Sequence, residues 1–288
     1  MDAAPVHYGA AVGGSLILVL LLAGIGGWFM VLLRIRRRGF VLPLQIAQLQ
    51  ARHWTGHNLL VTGIWVSGAL VLFAASGLYM RRAAVDAHIM HVVAAVQNTV
   101  LQVLVAVLLY VQMRAAGANV QTSFGISIRK GAAGTSVFRQ AGRWYLLSLP
   151  LVFLAAFVSQ VFFALQGHDR MLQPALELFA AASTPSWFRW WIVGVAVVVA
   201  PVIEEAVFRG VLLPVLLRKY ALMPALLASA LLFALVHGHA LATFPLFVLG
   251  LGLGGAYLYT GNLLVPICMH AFFNTVNLFM LLLSAGAH

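Results

Sequence analysis

The residues best suited to chemistry in this sequence lie in three short clusters near its carboxy-terminal end. Glu204 and Glu205 are adjacent, and Arg209 follows four residues after Glu205. In an α-helix, residues four apart share a face, and a glutamate on the amino-terminal side of its cation is the favourable order. Arg209 can therefore neutralise Glu205. Glu204 points about 100° away and is left to face another helix. A desolvated carboxylate without a full partner suits general acid or base work. The second cluster places His237 at the end of an apolar run, with Phe233 one turn before it. The third places His270 and Asn274 four apart, again on one face.

Together these groups read as hydrolysis without a covalent intermediate. Glu204 and His237 could hold and deprotonate a water molecule. His270 and Asn274 could donate hydrogen bonds to the oxyanion of a tetrahedral intermediate. No serine or cysteine nucleophile with an adjacent base stands out. The single cysteine, Cys268, lies in an apolar run, where a small buried hydrophobe is the ordinary role.

The surroundings give these side chains their weight. Of the 288 residues, 63% are hydrophobic and 8% charged, against roughly a quarter charged in an ordinary soluble domain. Such a chain cannot cover a water-facing surface, so lipid must be its solvent. A carboxylate at the centre of a membrane helix costs roughly 2.5 to 3.5 kcal/mol even on insertion scales. Two of the six acidic residues nevertheless sit at neighbouring apolar positions. The net charge of +11 fits positive loops facing anionic lipid, and nucleic acid is not expected as a partner.

Apolar runs of about 20 residues predict membrane-spanning helices. Eight are expected, over 9–33, 58–80, 91–113, 145–167, 187–217, 222–238, 241–259 and 263–284. The fold class is all-α, a polytopic membrane protein. The run at the amino terminus is too long for a signal-peptide core and reads as a retained helix. The loop 114–144 is the expected boundary between a three-helix part, 1–144, and a five-helix part, 145–288, that carries the site. Twelve of the 17 basic residues, including Arg34, Arg52, Arg114, Arg129, Lys130, Arg218 and Lys219, fall in loops on one side of this arrangement. The positive-inside rule makes that side cytoplasmic and leaves both termini outside. Gly250, Gly252, Gly254 and Gly255 lie inside an apolar span, so they predict close helix packing and not a phosphate loop.

The three clusters have a family likeness. Glu204-Glu205-Ala-Val-Phe-Arg209 resembles the Glu-Glu-x-x-x-Arg motif of the CAAX-protease and bacteriocin-processing family. Phe233-Ala-Leu-Val-His237 resembles its Phe-x-x-x-His motif, and His270-Ala-Phe-Phe-Asn274 its His-x-x-x-Asn motif. Order and spacing match over about 185–285. The resemblance implies an intramembrane glutamate-type protease whose substrates are membrane-anchored or lipid-modified peptides and proteins. It implies that Glu204 and His237 activate water, that His270 and Asn274 form the oxyanion hole, and that Glu205 and Arg209 support the site. No cofactor is expected. His237, His239, His270 and Glu204 could make a zinc-like set, but the sequence lacks a His-Glu-x-x-His helix, and the metal-free reading is favoured.

Two other classes fit part of the pattern. Intramembrane Glu, Arg and His also build proton relays in transporters. A noncatalytic membrane partner, such as an immunity protein, could hold the same residues as a structural ion-pair cluster. Oligomeric state is not legible. Depth poses a specific difficulty. At 1.5 Å per residue, Glu204 and His237 come out about 21 Å from the basic end, while His270 counts to about 10 Å. Tilt, kinks or re-entrant backbone are the expected remedy, and Pro201 and Pro266 are places for such breaks.

Overall fold

The computed structural model describes residues 8–38, 44–127, 136–167 and 184–285. Arg129 and Lys130, which entered the charge argument, lie outside them. The fold is all-α, and no strand occurs among the described residues. Among the described residues, seven helices are long and apolar enough to cross a membrane. In chain order, α1 is Tyr8–Arg38, α2 Ile46–Gln50, α3 Gly56–Arg82, α4 Ala87–Ala115, α5 Val120–Phe124 and α6 Val137–Leu165. The interrupted helix α7 runs Ser186–Lys219, followed by α8 Leu222–Leu235, α9 Ala240–Thr260 and α10 Leu264–Ala285.

The sixth apolar run, expected over 222–238, forms α8, a helix of 14 residues. At 1.5 Å per residue it is about 21 Å long, short of a hydrocarbon core of about 30 Å. It ends at Leu235, and Gly238 then turns the chain at a φ of 63°, a left-handed conformation that glycine adopts without strain. The short helix therefore leaves His237 below the far surface rather than upon it.

The central helix is α9, which packs between α6 and α8. Its glycines make this possible, as the sequence predicts. A Cβ on Gly250 would lie 3.1 Å from Ala230 Cα, one on Gly255 would press on the Trp144 ring, and one on Gly252 would collide with Ser148. Leu249, Leu253, Ala256 and Tyr257 of the same helix are almost fully buried.

A proline inside a span leaves a carbonyl without its backbone donor, and for Pro245 and Pro201 a side chain of a neighbouring helix answers it. Pro245 has no N–H for Leu241 O, and Ser159 Oγ of α6 donates to that oxygen at 2.7 Å. Pro150 has none for Leu146 O. Helix α1 docks at this point, with Gly24 against Leu146 O and Trp28 Nε1 donating to Leu147 O at 2.7 Å. Pro201 is the third case and belongs to the site.

The loops at the basic end are folded, which the sequence reading does not foresee. Segments 44–54 and 118–127, with α2 and α5, cap the turn between α9 and α10. Gln45 N donates to Leu258 O, Leu263 N to Phe124 O, and Asn262 Nδ2 to Ser127 O. Arg52 donates to both Thr122 O and Gly261 O, and Trp54, fully buried, donates to Ser123 O. Leu263 is 1% exposed. Helix α10 thus begins beneath a cap, deeper than its place in the sequence implies. Pro266 lies in its first turn and breaks nothing.

Candidate active site

Helix α7 places the two glutamates. It is not a regular α-helix: Val195–Val199 and Ala206–Leu212 are π-helical, and Ala200–Glu205, which carries both carboxylates, is the α-helical turn between them. π segments widen a helix locally and often occur at functional sites. With the buried start of α10, they bring Glu204, Glu205, Arg209, His237 and His270 together.

Glu205, Arg209 and His270 form a buried triad. Glu205 and Arg209 are fully buried, and His270 is 3% exposed. Arg209 donates from Nη1 to Glu205 Oε1 at 2.8 Å and from Nη2 to Gly250 O at 3.1 Å. Its guanidinium carbon also lies 4.3 Å from the centre of the Phe233 ring, a cation–π contact. His270 Nδ1 lies 3.0 Å from the same Glu205 Oε1. An ionised carboxylate only accepts, so His270 donates from Nδ1. Glu205 is therefore tied to two helices, one through its own Arg209 and one through α10.

Glu204 faces the other way, as the geometry of adjacent helical residues demands. Its side chain keeps 26% of its exposure and that of His237 24%. Glu204 Oε2 lies 3.7 Å from His237 Nε2 and 3.9 Å from His270 Nε2. It accepts no hydrogen bond among the described residues. His237 Nδ1 is 2.7 Å from Phe233 O. A carbonyl cannot donate, so Nδ1 carries the proton, and neutral His237 offers Nε2 as a bare lone pair toward Glu204. The Phe233 ring packs edge-on against both imidazoles, with centroid distances of 4.8 and 5.7 Å.

Asn274 stands one turn from His270, but its resolved bond is with backbone. Asn274 Nδ2 donates to Ala196 O in the first π segment at 2.7 Å. Its second amide hydrogen has no partner among the described residues. His239 caps the start of α9 and accepts Thr243 Oγ1 on its carbonyl. Ser229, two turns before His237, donates its hydroxyl to Phe208 O. Two features here escape sequence reasoning: the Glu205–His270 bond and the Asn274–Ala196 bond. The first follows from an inter-helix distance. The second follows from the π register, in which Pro201 stands where the donor for Ala196 O would be; in a regular α-helix Pro201 would leave Val197 O without a donor instead.

Residues 185–276 match the family model described as Type II CAAX prenyl endopeptidase Rce1-like. That stretch contains all seven residues that define the three motifs. Comparisons with curated proteins and with solved structures return no match. The likeness read from the motifs to the CAAX-protease and bacteriocin-processing family is borne out. The match implies a protease at the level of that family, and the long apolar helices make the chain a multi-pass membrane protein.

Proposed function

We propose that this CAAX-type membrane endopeptidase hydrolyses a peptide bond in a membrane-anchored or lipid-modified protein, using a water molecule activated by Glu204 and His237. One observation carries the reading. Glu204 Oε2 has no hydrogen-bond donor among the described residues and stands 3.7 and 3.9 Å from two imidazole nitrogens. Those separations are too long for direct bonds and suit a bridging water.

Glu204 and the His237 lone pair orient the water and take its proton as its oxygen attacks the scissile carbonyl carbon. The carbonyl oxygen becomes an oxyanion. His270, with Nδ1 bound to Glu205, carries its second proton on Nε2 when it is an imidazolium. Two carboxylates, one guanidinium and that imidazolium make a neutral set. His270 Nε2 and the second Asn274 amide hydrogen then serve as the oxyanion donors. Collapse of the intermediate breaks the C–N bond, and the proton held by Glu204 or His237 passes to the leaving amine. Glu205 and Arg209 touch no reacting atom in this scheme. They hold His270 in position. No step uses a metal.

The motif-bearing part, 145–288, holds this machinery, while 1–144 supplies three spans and part of the basic cap. The charge bias makes the capped end cytoplasmic and both termini external. The test is cleavage in liposomes, with wild type and Glu204→Gln offered a library of membrane-anchored and prenylated peptides. Cleavage by wild type alone supports the reading and identifies the substrate class. Equal cleavage by both would remove Glu204 from the mechanism. Loss of wild-type cleavage with a chelator, restored by zinc, would overturn the metal-free scheme.

A further inference from the structure

We propose that Asn274 is a positioning residue for Glu204, acting through a carbonyl that Pro201 leaves without a backbone donor. Ala200 N donates to Val195 O, five residues back. In that five-residue register the donor for Ala196 O is the N–H of residue 201, and proline has none. The four-residue alternative, Ala200 N, is already committed to Val195 O. Ala196 O is therefore orphaned by the sequence of its own helix. A carbonyl orphaned in an apolar surrounding is destabilising until another donor reaches it. Asn274 Nδ2 fills the vacancy from α10 at 2.7 Å.

The consequence lies three residues beyond Pro201. Glu204 sits on the single α-helical turn that follows this π segment, so the register of the π segment sets the direction of its carboxylate. Asn274 pins that register to α10, the helix that also supplies His270. The same bond thus fixes Glu204 relative to its neighbouring imidazole. The oxyanion role proposed above needs only the second amide hydrogen, so one residue does two jobs with two hydrogens. This inference rests on the proposed function for its effect on rate but not for its effect on structure.

The test separates the two jobs. Asn274→Leu removes both hydrogens at nearly constant volume. Pro201→Ala returns the missing N–H to Ala196 O. Amide hydrogen exchange over 200–206 is followed in detergent for wild type, for each single variant and for the double variant, alongside kcat and KM. Exchange needs no substrate, so it reports even where no cleavage is found. The expected result is faster exchange in Asn274→Leu and restoration in the double variant. On the rate side, kcat falls on the order of 100-fold in Asn274→Leu and recovers in part in the double variant, while KM changes little. Wild-type exchange in Asn274→Leu, or exchange that Pro201→Ala fails to restore in the double variant, overturns the proposal. If Asn274→Leu does not fold, Asn274→Thr takes its place with the same readouts.

Discussion

His270 Nδ1 and Arg209 Nη1 converge on one oxygen, Glu205 Oε1, at 3.0 and 2.8 Å, so that His270 and Glu205 join α10 to α7 across the site. The bond makes Glu205 more than a local counter-ion. It fixes the histidine tautomer and aims Nε2 at Glu204.

Breaking this unit should cost stability as well as rate. Arg209→Ala leaves Glu205 fully buried with its charge uncompensated, a loss of about 3 to 5 kcal/mol for a buried pair. We expect a sharply lower yield of folded protein and a lower unfolding temperature in detergent. Glu205→Gln should be destabilising for the mirror reason. The double variant Glu205→Leu/Arg209→Met should be more stable than Arg209→Ala, because it strands no charge. Additive losses in the double variant would show that the pair contributes nothing as a pair.

Glu204 and His237 should behave oppositely. Both side chains are about a quarter exposed, and Glu204 Oε2 accepts no bond from the described residues, so removal of Glu204 leaves little unsatisfied, while removal of His237 frees only Phe233 O, at the end of α8. Glu204→Gln and His237→Ala should each lower kcat by about 10² to 10⁴-fold, the ordinary range for a lost general base. Unfolding temperatures should stay near that of wild type. A folded His237→Ala protein with full activity would remove His237 from water activation.

The glycine face of α9 makes a structural prediction with an internal control. Gly250→Ala places a Cβ 3.1 Å from Ala230 Cα, where backbone must give way, and Gly250 O is also the acceptor for Arg209. Overpacking of this kind costs about 1 to 3 kcal/mol. Gly63→Ala in α3 meets no atom within 4 Å and should be neutral or slightly stabilising. Chemical unfolding in detergent distinguishes the two.

Much of this architecture is legible in the sequence because the bilayer imposes it. Apolar runs such as 58–80 and 241–259 must be helices when no water is available to their backbone. The three polar clusters are visible because charge and imidazole are rare in such runs. What escapes is set by contacts between segments distant in sequence. The helices α2 and α5 are only five residues each and carry no period that a reader can use. Their reason for forming is the surface they cover, where Leu49 and Trp54 are fully buried. The depth mismatch between Glu204 and His270 was legible as a conflict. Its resolution was not, because π segments arise where packing and an absent proline N–H shift the hydrogen-bond register.

The cap should respond to pH through His53. This histidine lies outside the membrane spans, 2.8 Å from Ser123 Oγ, and its ring stacks near Trp54 at 4.3 Å. Burial holds its pKa below the ordinary 6.5, and the charges of Arg218 and Arg52 depress it further. The charged form is thus disfavoured in the folded cap. In the unfolded chain His53 takes a proton as pH falls through about 6.5. The folded protein resists it until pH passes its lower value. Stability is therefore full above the ordinary pKa and declines between it and the lowered one. Acidification from about pH 7.5 to about pH 5.5 should lower the unfolding temperature, and His53→Gln, which retains a hydrogen-bonding side chain without a titration, should flatten that dependence. The readout belongs to the cap: protection of amides in 46–54 and 120–124 should fall with pH in wild type and hold in the variant. An identical pH dependence in both proteins would show that His53 is not the group that senses acid.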